Sequence, residues 1–433
     1  MSTLTTSMQR LVRPFSQRDY ALLASAMVAS TFASGMWAVA MVYQVRALGG
    51  GPMELSVVAT VNSVGLLALV LVGGIAADRY SSRRIVIGIQ GLYLLVMSGT
   101  AVLSLTGAVQ LWHLSVTGFF AGAGAAFFYP AYSALLPRML PGEQLLAANG
   151  LEGTVRPVVQ TALGPMAAGF LVALISPAHA ILGVALCHLT ALAVLQFIRR
   201  RPEYDTAAPE DEHGQPGILT QLREGVGYTM RTSWLRWTLL FSAVSVFSFI
   251  GPFEVLLPFI VSDQLHGDAT LFGYALAFFG IGSAAGSLLI ASSRFPRRYL
   301  SLMTACWCLG TLPLALVGYV DAAWMLFAIL VVFGLTDAAG MVIWGTLLQR
   351  RVPKHLLGRI SSLDFFVSLA LMPVSMAVAG PLSQLLSLQA IFICAGVISP
   401  VFGIIAWKAG KFAKDELANP LDTPDPVAEL ENG

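Results

Sequence analysis

Gly73-Gly74-Ile75-Ala76-Ala77-Asp78-Arg79-Tyr80-Ser81-Ser82-Arg83-Arg84 joins two long apolar runs. It puts one carboxylate and three guanidiniums into a link too short to be a domain. The small residues leading into it let helices approach closely. A tight charged turn between two apolar helices is a hinge and latch if the flanking runs cross a bilayer.

Composition demands that bilayer. Of 433 residues, 56% are hydrophobic and 11% charged, against about 25% charged in a typical soluble domain. Mean hydropathy is +0.75. A soluble fold cannot hide that much apolar surface. The net charge of +2 argues against nucleic acid as a partner. Cys187, Cys306, Cys308 and Cys394 all lie in apolar runs, and the Cys306-x-Cys308 pair lacks the spacing and histidines of a zinc site. Free thiols and no bound metal are expected. Arg10, Arg13 and Arg18 precede an uncharged run from Tyr20 to Val45, too long for a cleaved signal and right for a first span.

A spanning helix needs about 20 apolar residues, so charge-free intervals count the spans. Tyr20 to Tyr43 is the first and Leu55 to Ala77 the second. One helix from Arg84 to Arg138 would be ~80 Å long, so that interval holds two, turning near Thr106-Gly107. Arg156 to Arg199 holds the end of a fifth span and a whole sixth, broken at Ser176-Pro177. A polar, acidic, Pro- and Gly-bearing segment follows Arg199-Arg200-Arg201. Ile218 to Ser233 then places Ile218, Leu219, Leu222, Val226 and Met230 on one face, as a surface helix does. Six more spans follow at about 236–262, 270–292, 299–318, 323–348, 358–386 and 388–408. The chain is therefore expected to be an all-α membrane protein with twelve spans. Its expected divisions are a six-helix bundle at 1–198, a linker at 199–235, a second bundle at 236–410 and a disordered tail at 411–433. With the amino terminus inside, all 25 Lys and Arg except Arg46 and Arg156 fall on one side, so both termini and the linker are read as cytoplasmic.

The halves repeat. Leu135-Leu136-x-Arg138-x-Leu140-Pro141 recurs as Leu347-Leu348-x-Arg350-x-Val352-Pro353, Gly164-Pro165 as Gly380-Pro381, and Arg83-Arg84 as Arg297-Arg298. Matches at nearly one offset imply a duplicated bundle, with a binding site between the halves near the midplane.

Together these residues resemble the major facilitator superfamily. Gly74-x-x-Ala77-Asp78-Arg79-x-x-x-Arg83-Arg84 is similar to that superfamily's loop signature between helices two and three, with Ser81 in place of the usual glycine and Ser82 where a basic residue is frequent. Gly118 to Ala126 resembles the fourth-helix motif, but Gly118 stands where its arginine is expected, so that arginine's proton-relay role does not carry over. Gly164-Pro165-Met166-Ala167-Ala168-Gly169 resembles the fifth-helix motif of antiporting exporters. Leu357-Gly358-Arg359-Ile360-Ser361-Ser362 is similar to the macrolide-efflux and enterobactin-exporter branch. The resemblance covers almost the whole chain. It implies two pseudo-symmetric bundles working by alternating access, as a monomer among the lipids of a bacterial inner membrane, with a proton gradient and no cofactor.

Charges inside spans cost about 2.5–3.5 kcal/mol each on insertion scales, so each needs a reason. Glu152 and Arg156 stand four apart on the fifth helix and are expected either to neutralise each other or to exchange that pairing for substrate or a proton. Asp364 is the repeat counterpart of Glu152 and suits a gate partner of a loop arginine or a proton carrier. Asp337 stands mid-span, far from any basic residue in sequence. An unpaired carboxyl in low dielectric favours its neutral form and can take up and release a proton. Glu254 follows Gly251-Pro252, which is expected to open the seventh helix and leave backbone groups free to line a cavity. Glu254 and Asp337 lead as proton or cationic-substrate sites, beside a structural hydrogen-bonded alternative. Met36, Trp37, Tyr129, Phe253 and Trp344 fall on helices that line the cavity in the resembled superfamily, although ordinary packing explains most such residues. Asn62 and Gln90 can line it or join helices. His188 reads as a packed residue.

Asp78 and its loop partners Gly74, Arg79, Arg83 and Arg84 form the expected latch, with the start of the eleventh helix at Ser361 and Ser362 offering free N–H groups to Asp78. The repeat counterpart of the loop, Ser292 to Arg298, keeps the arginine pair but lacks the carboxylate. The expected function is proton-coupled efflux of amphipathic small molecules. A carrier of a specific siderophore, lipid or metabolite, exporting or importing, is the alternative, and a transport-dead receptor the remote one. No nucleotide-binding Gly-x-x-x-x-Gly-Lys-[Ser/Thr] loop and no nucleophile–base cluster is present, so neither an ATP-driven pump nor an enzyme is expected.

Overall fold

The computed structural model describes residues 13–421 apart from 142–143, 146–147, 149–151, 154, 200, 202–217 and 294. Twelve helices among these residues are long and apolar enough to cross a membrane. They are α1 (Arg18–Ala47), α2 (Pro52–Ala77), α3 (Ser82–Leu105), α4 (Leu111–Met139), α5 (Pro157–Leu174) and α6 (Pro177–Gln196), followed by α7 (Ser233–Gln264), α8 (Ala269–Ala291), α9 (Tyr299–Tyr319), α10 (Ala323–Arg351), α11 (Arg359–Leu385) and α12 (Leu388–Ala409).

Local chemistry sets the helix starts. Ser81, Ser176, Asp268 and Ser387 each take a first-turn amide of α3, α6, α8 and α12, respectively. Pro52 and Pro177 stand in the first turns of α2 and α6, where a missing N–H costs nothing. The turn between α3 and α4 falls at Gly107, whose φ of 73° suits glycine.

Packing repeats as the sequence does. In the first six helices α2 lies along α4, α1 against α5 and α6, and α3 against α4 and α6. In the last six α8 lies along α10, α7 against α11 and α12, and α9 against α10 and α12. The two sets meet along two seams, α2 with α11 and α5 with α8. Gly169 belongs to the second seam. A methyl there would sit 3.2 Å from the Thr270 Cα, so the missing side chain lets the backbones of α5 and α8 approach. Gly164 abuts Phe32 and Gly35 of α1, and the Pro165 carbonyl faces Gly273 of α8. The Gly-Pro motif is thus a packing joint between α1, α5 and α8.

One end of the molecule is tied across the halves. Arg46, at the end of α1, binds Asp263 of α7 at 3.3 Å, hydrogen-bonds Ser262 and lies 5.2 Å over the Phe259 ring. Nearby, Ser56 of α2 donates to the Met376 carbonyl of α11.

At the opposite end each half is fastened internally. Asp19 accepts from the Arg199 amide at 3.4 Å and pairs with Arg201 at 3.6 Å. Arg83, expected in the latch, is instead buried, with Nη2 at 3.4 Å from the Ile198 carbonyl beyond α6. Arg79 and Arg84 are exposed, while the side chain of Asp78 lies outside the described residues.

The tail departs from expectation. Phe412–Ala418 is a helix rather than disordered chain. Phe412 is fully buried, and the fully buried Glu416 carboxylate accepts from both the amide (3.0 Å) and the hydroxyl (2.7 Å) of Ser301 in the first turn of α9. A carboxylate on unpaired first-turn amides explains why a charged segment orders here. Arg351 completes the joint by pairing with Asp415. Residues 422–433 lie outside the description.

Ile218–Arg231 is helical and packs on the chain leading into α11, where Arg359 pairs with Glu224. Val226 and Met230 are exposed, while the side chains of Ile218, Leu219 and Leu222 lie outside the description.

Candidate functional site

A cavity of about 410 Å³ lies near mid-span between the two sets of helices. Its wall comes from α1 to α7 and α11, and it contains Trp37, Asn62, Tyr129, Arg156 and Glu254 among the residues singled out from sequence. Two opposite charges face this space from opposite halves.

Glu254 is the one exposed residue between Gly251 and Val261, where every neighbour is buried. It makes no hydrogen bond or ion pair with any described residue. The turn that carries it is widened. Pro252–Leu256 and Ile260–Gln264 adopt π-helical turns, as expected where Pro252 removes an amide from the ladder. Part of the α7 backbone beside the proline is engaged by a neighbouring helix rather than by the cavity. Ser375 of α11 accepts from the Gly251 amide at 2.8 Å and donates to the Phe247 carbonyl at 2.7 Å, so those groups are satisfied within the core.

Arg156 stands just before α5, whose first seven residues, Pro157–Leu163, are also π-helical. Its guanidinium lies 4.3 Å over the Tyr129 ring, and its Nε donates to the Gln160 Oε1 at 3.1 Å. Arg156 makes no close ion pair with Glu152, although its charge still acts on that carboxyl, because Tyr129 and Gln160 take its direct contacts. Glu152 lines a groove of about 260 Å³ beside α1, which also reaches Arg156 and Thr31 and so abuts the central cavity.

His188, read in the sequence as a packed residue, lines this wall, and the fully buried Gln90 joins it to α1 from behind. Gln90 Nε2 donates to the Ser30 Oγ at 2.7 Å, and its Oε1 lies 3.0 Å from His188 Nδ1. That pairing makes Nδ1 the protonated nitrogen and leaves Nε2 as an acceptor. The imidazole lies tilted against Tyr93, with ring centroids 4.9 Å apart, and lines the cavity. Three helices supply this cluster, so no spacing along the chain could reveal it. Trp37 adds an indole N–H that has no partner among the described residues.

The other candidates lie elsewhere. Met36 and Phe253 are buried, Met36 against Gly183 and Phe253 among Phe279 and Phe333. Trp344 is buried against Trp234 and donates its indole N–H to Asp364 at 3.0 Å. Asp364 is therefore held by a tryptophan of its own half and makes no ion pair with a described loop arginine. Asp337 faces a separate small cavity within the second set of helices.

Residues 10–429 match the family described as transmembrane secretion effector. The chain belongs to this family of the major facilitator superfamily. It is 25% identical over 383 residues to the multidrug efflux pump Tap of Mycolicibacterium fortuitum, covering 86% of this chain and 91% of that one. It is 20% identical over 393 residues to macrolide efflux protein A of Streptococcus pyogenes, covering 90% and 95%. Among solved structures it resembles a POT family transporter in complex with 5-aminolevulinic acid, with TM-score 0.72, 15% identity and coverage of 90% and 96%. It also resembles the D323A mutant of the nucleoside transporter NupG, with TM-score 0.69, 11% identity and coverage of 90% and 99%. At such identity the solved structures speak for the fold alone. This superfamily member is a multi-pass membrane transporter.

Proposed function

We propose that this protein is a secondary active exporter of amphipathic small molecules, exchanging them for protons by alternating access between two six-helix bundles. The observation that carries this reading is the mid-span cavity with Arg156 presented by the first half and Glu254 by the second. A carboxyl with no basic partner can bind either a proton or a cationic group of a substrate, and one site that accepts either is sufficient for exchange. Tyr129, Trp37 and Met376 supply polarisable apolar surface around it, which suits substrates of varied shape. The names of the efflux-pump relatives support export of drug-like molecules.

The excess of Lys and Arg at the end opposite Arg46 supports an orientation with both termini cytoplasmic. In that orientation the Arg46–Asp263 and Ser56–Met376 ties close the outer side. The arrangement then represents an inward-facing state awaiting substrate from the cytoplasm.

A susceptibility panel on cells overexpressing the chain tests export, and proteoliposomes with an imposed pH gradient test coupling. Raised resistance to at least one amphipathic compound, with vesicle transport that follows the gradient, is expected. Transport that ignores the gradient removes the proton from the mechanism. Resistance unchanged across the panel favours a carrier of one physiological substrate.

A further inference from the structure

The second set of helices encloses a cavity of about 80 Å³ that is separate from the central one. That volume can hold an ion with some of its water. Its polar wall consists of Asp337, Ser242, Ser245, Ser399, Thr311 and Thr336, with no Lys, Arg or His. Phe249, Trp307 and Phe333, with Val246, Gly310 and Met341, close the remainder.

The cavity exists because the repeat has diverged there. Ser30 and Ser245 stand equally far from the helix starts Arg18 and Ser233. His188 and Ser399 stand equally far from the caps Ser176 and Ser387, and Ala125 and Asp337 from the starts Leu111 and Ala323. In the first half Ser30 reaches His188 through the Gln90 amide. In the second half Ser245 and Ser399 touch directly at 2.8 Å. A hydroxymethyl thus replaces an imidazole where a carboxylate replaces a methyl. Gly310 keeps the space open, since a methyl there would collide with the Thr336 hydroxyl.

The direction of the hydroxyl protons then defines what the cavity lacks. Thr336 Oγ1 donates to the Val332 carbonyl at 2.8 Å, and Thr311 Oγ1 to the Trp307 carbonyl at 3.0 Å. One of the Ser245 and Ser399 protons is engaged between those two residues. Both threonines therefore turn lone pairs, not protons, toward the cavity. Asp337 has no hydrogen bond or ion pair with any described residue, yet keeps part of its surface open to this space. A carboxylate among hydroxyl oxygens is an all-oxygen, acceptor-rich donor set, and a buried carboxylate wants a cation. A single carboxylate suits one positive charge rather than the several carboxylates that divalent sites gather. A polar approach also exists: Ser242 lies 3.4 Å from Ser368, which hydrogen-bonds Asp364 toward the start of α11.

We propose that the Asp337 cavity is a binding site for a monovalent alkali cation of sodium size, held within the second half and apart from the substrate cavity. Occupation would stiffen α7, α9, α10 and α12 against one another, because all four helices contribute to the wall.

The test is radioactive sodium binding to the purified full-length protein, with choline as the inert cation. Saturable binding is expected in the parent and in Glu254→Gln. It is expected to vanish in Asp337→Asn and to weaken on the order of tenfold, about 1.4 kcal/mol, in Ser399→Ala and Thr311→Val, which keep the carboxylate. No saturable binding by the parent at any pH tested overturns the proposal, since it would leave a proton as the only cation the pocket takes. Binding that survives Asp337→Asn but is lost in Glu254→Gln overturns it too, by moving the ion to the central cavity. No drug is needed for the readout, so it is independent of the efflux assignment.

Discussion

Ser375 of α11 stands inside the backbone ladder of α7, where its hydroxyl joins the Gly251 amide to the Phe247 carbonyl. In a regular helix those two groups bond each other, so a side chain from a neighbouring helix has been inserted one turn before Glu254. The insertion holds α7 open where it carries the cavity carboxylate. It also couples the shape of α7 to the position of α11, which borders the first half along α2.

Ser375→Ala removes the shared partner of two buried backbone groups. A loss of about 1–3 kcal/mol is expected, read as a lower thermal midpoint in detergent, with a smaller loss for Ser375→Thr. An unchanged midpoint in Ser375→Ala would mean that the ladder recloses without cost and that the bridge holds nothing open.

Glu254→Gln keeps the shape of the cavity and removes its titratable group. Transport driven by a pH gradient is expected to fall to the passive leak while equilibrium binding of a neutral substrate persists. Gradient-driven transport at the parental rate in proteoliposomes would exclude Glu254 as the coupling site.

The Arg46–Asp263 pair is partly exposed, at 30% and 58% for the two side chains, so its worth is limited to about 0.2–1 kcal/mol. Arg46→Ala should shift the population toward opening at that end by no more than about fivefold. Labelling of a cysteine placed at Met41 by a reagent confined to the outside would report this. A rate that does not rise would show that the α2–α11 and α5–α8 seams alone keep that end shut.

Glu416→Gln replaces a carboxylate facing two donors of Ser301 with a group that can accept at one atom only. A cost of about 1–3 kcal/mol is expected, with release of the Phe412–Ala418 helix. Faster proteolysis of the tail in the variant is the measurement, and identical cleavage rates would refute the joint.

The number of spans and the superfamily could be read along the chain, because a bilayer forces about 20 consecutive apolar residues into each helix. Glu254 was visible for the same reason, as a charge where charge is costly. Contacts between helices left no such trace. Arg156 was matched with Glu152 because they stand four apart, yet Tyr129, from another helix, holds the guanidinium. Trp344 was placed in the cavity by its helix, whereas the rotation of that helix turns it toward Asp364. The Gly73–Arg84 stretch shows both sides. Its charge and brevity make it a turn between α2 and α3 in any arrangement of the chain. Arg83 is buried toward α6 because the folded half brings the Ile198 carbonyl within reach. Periodicity and charge are properties of single helices, while partner choice depends on the relative rotation of several, which no local pattern encodes.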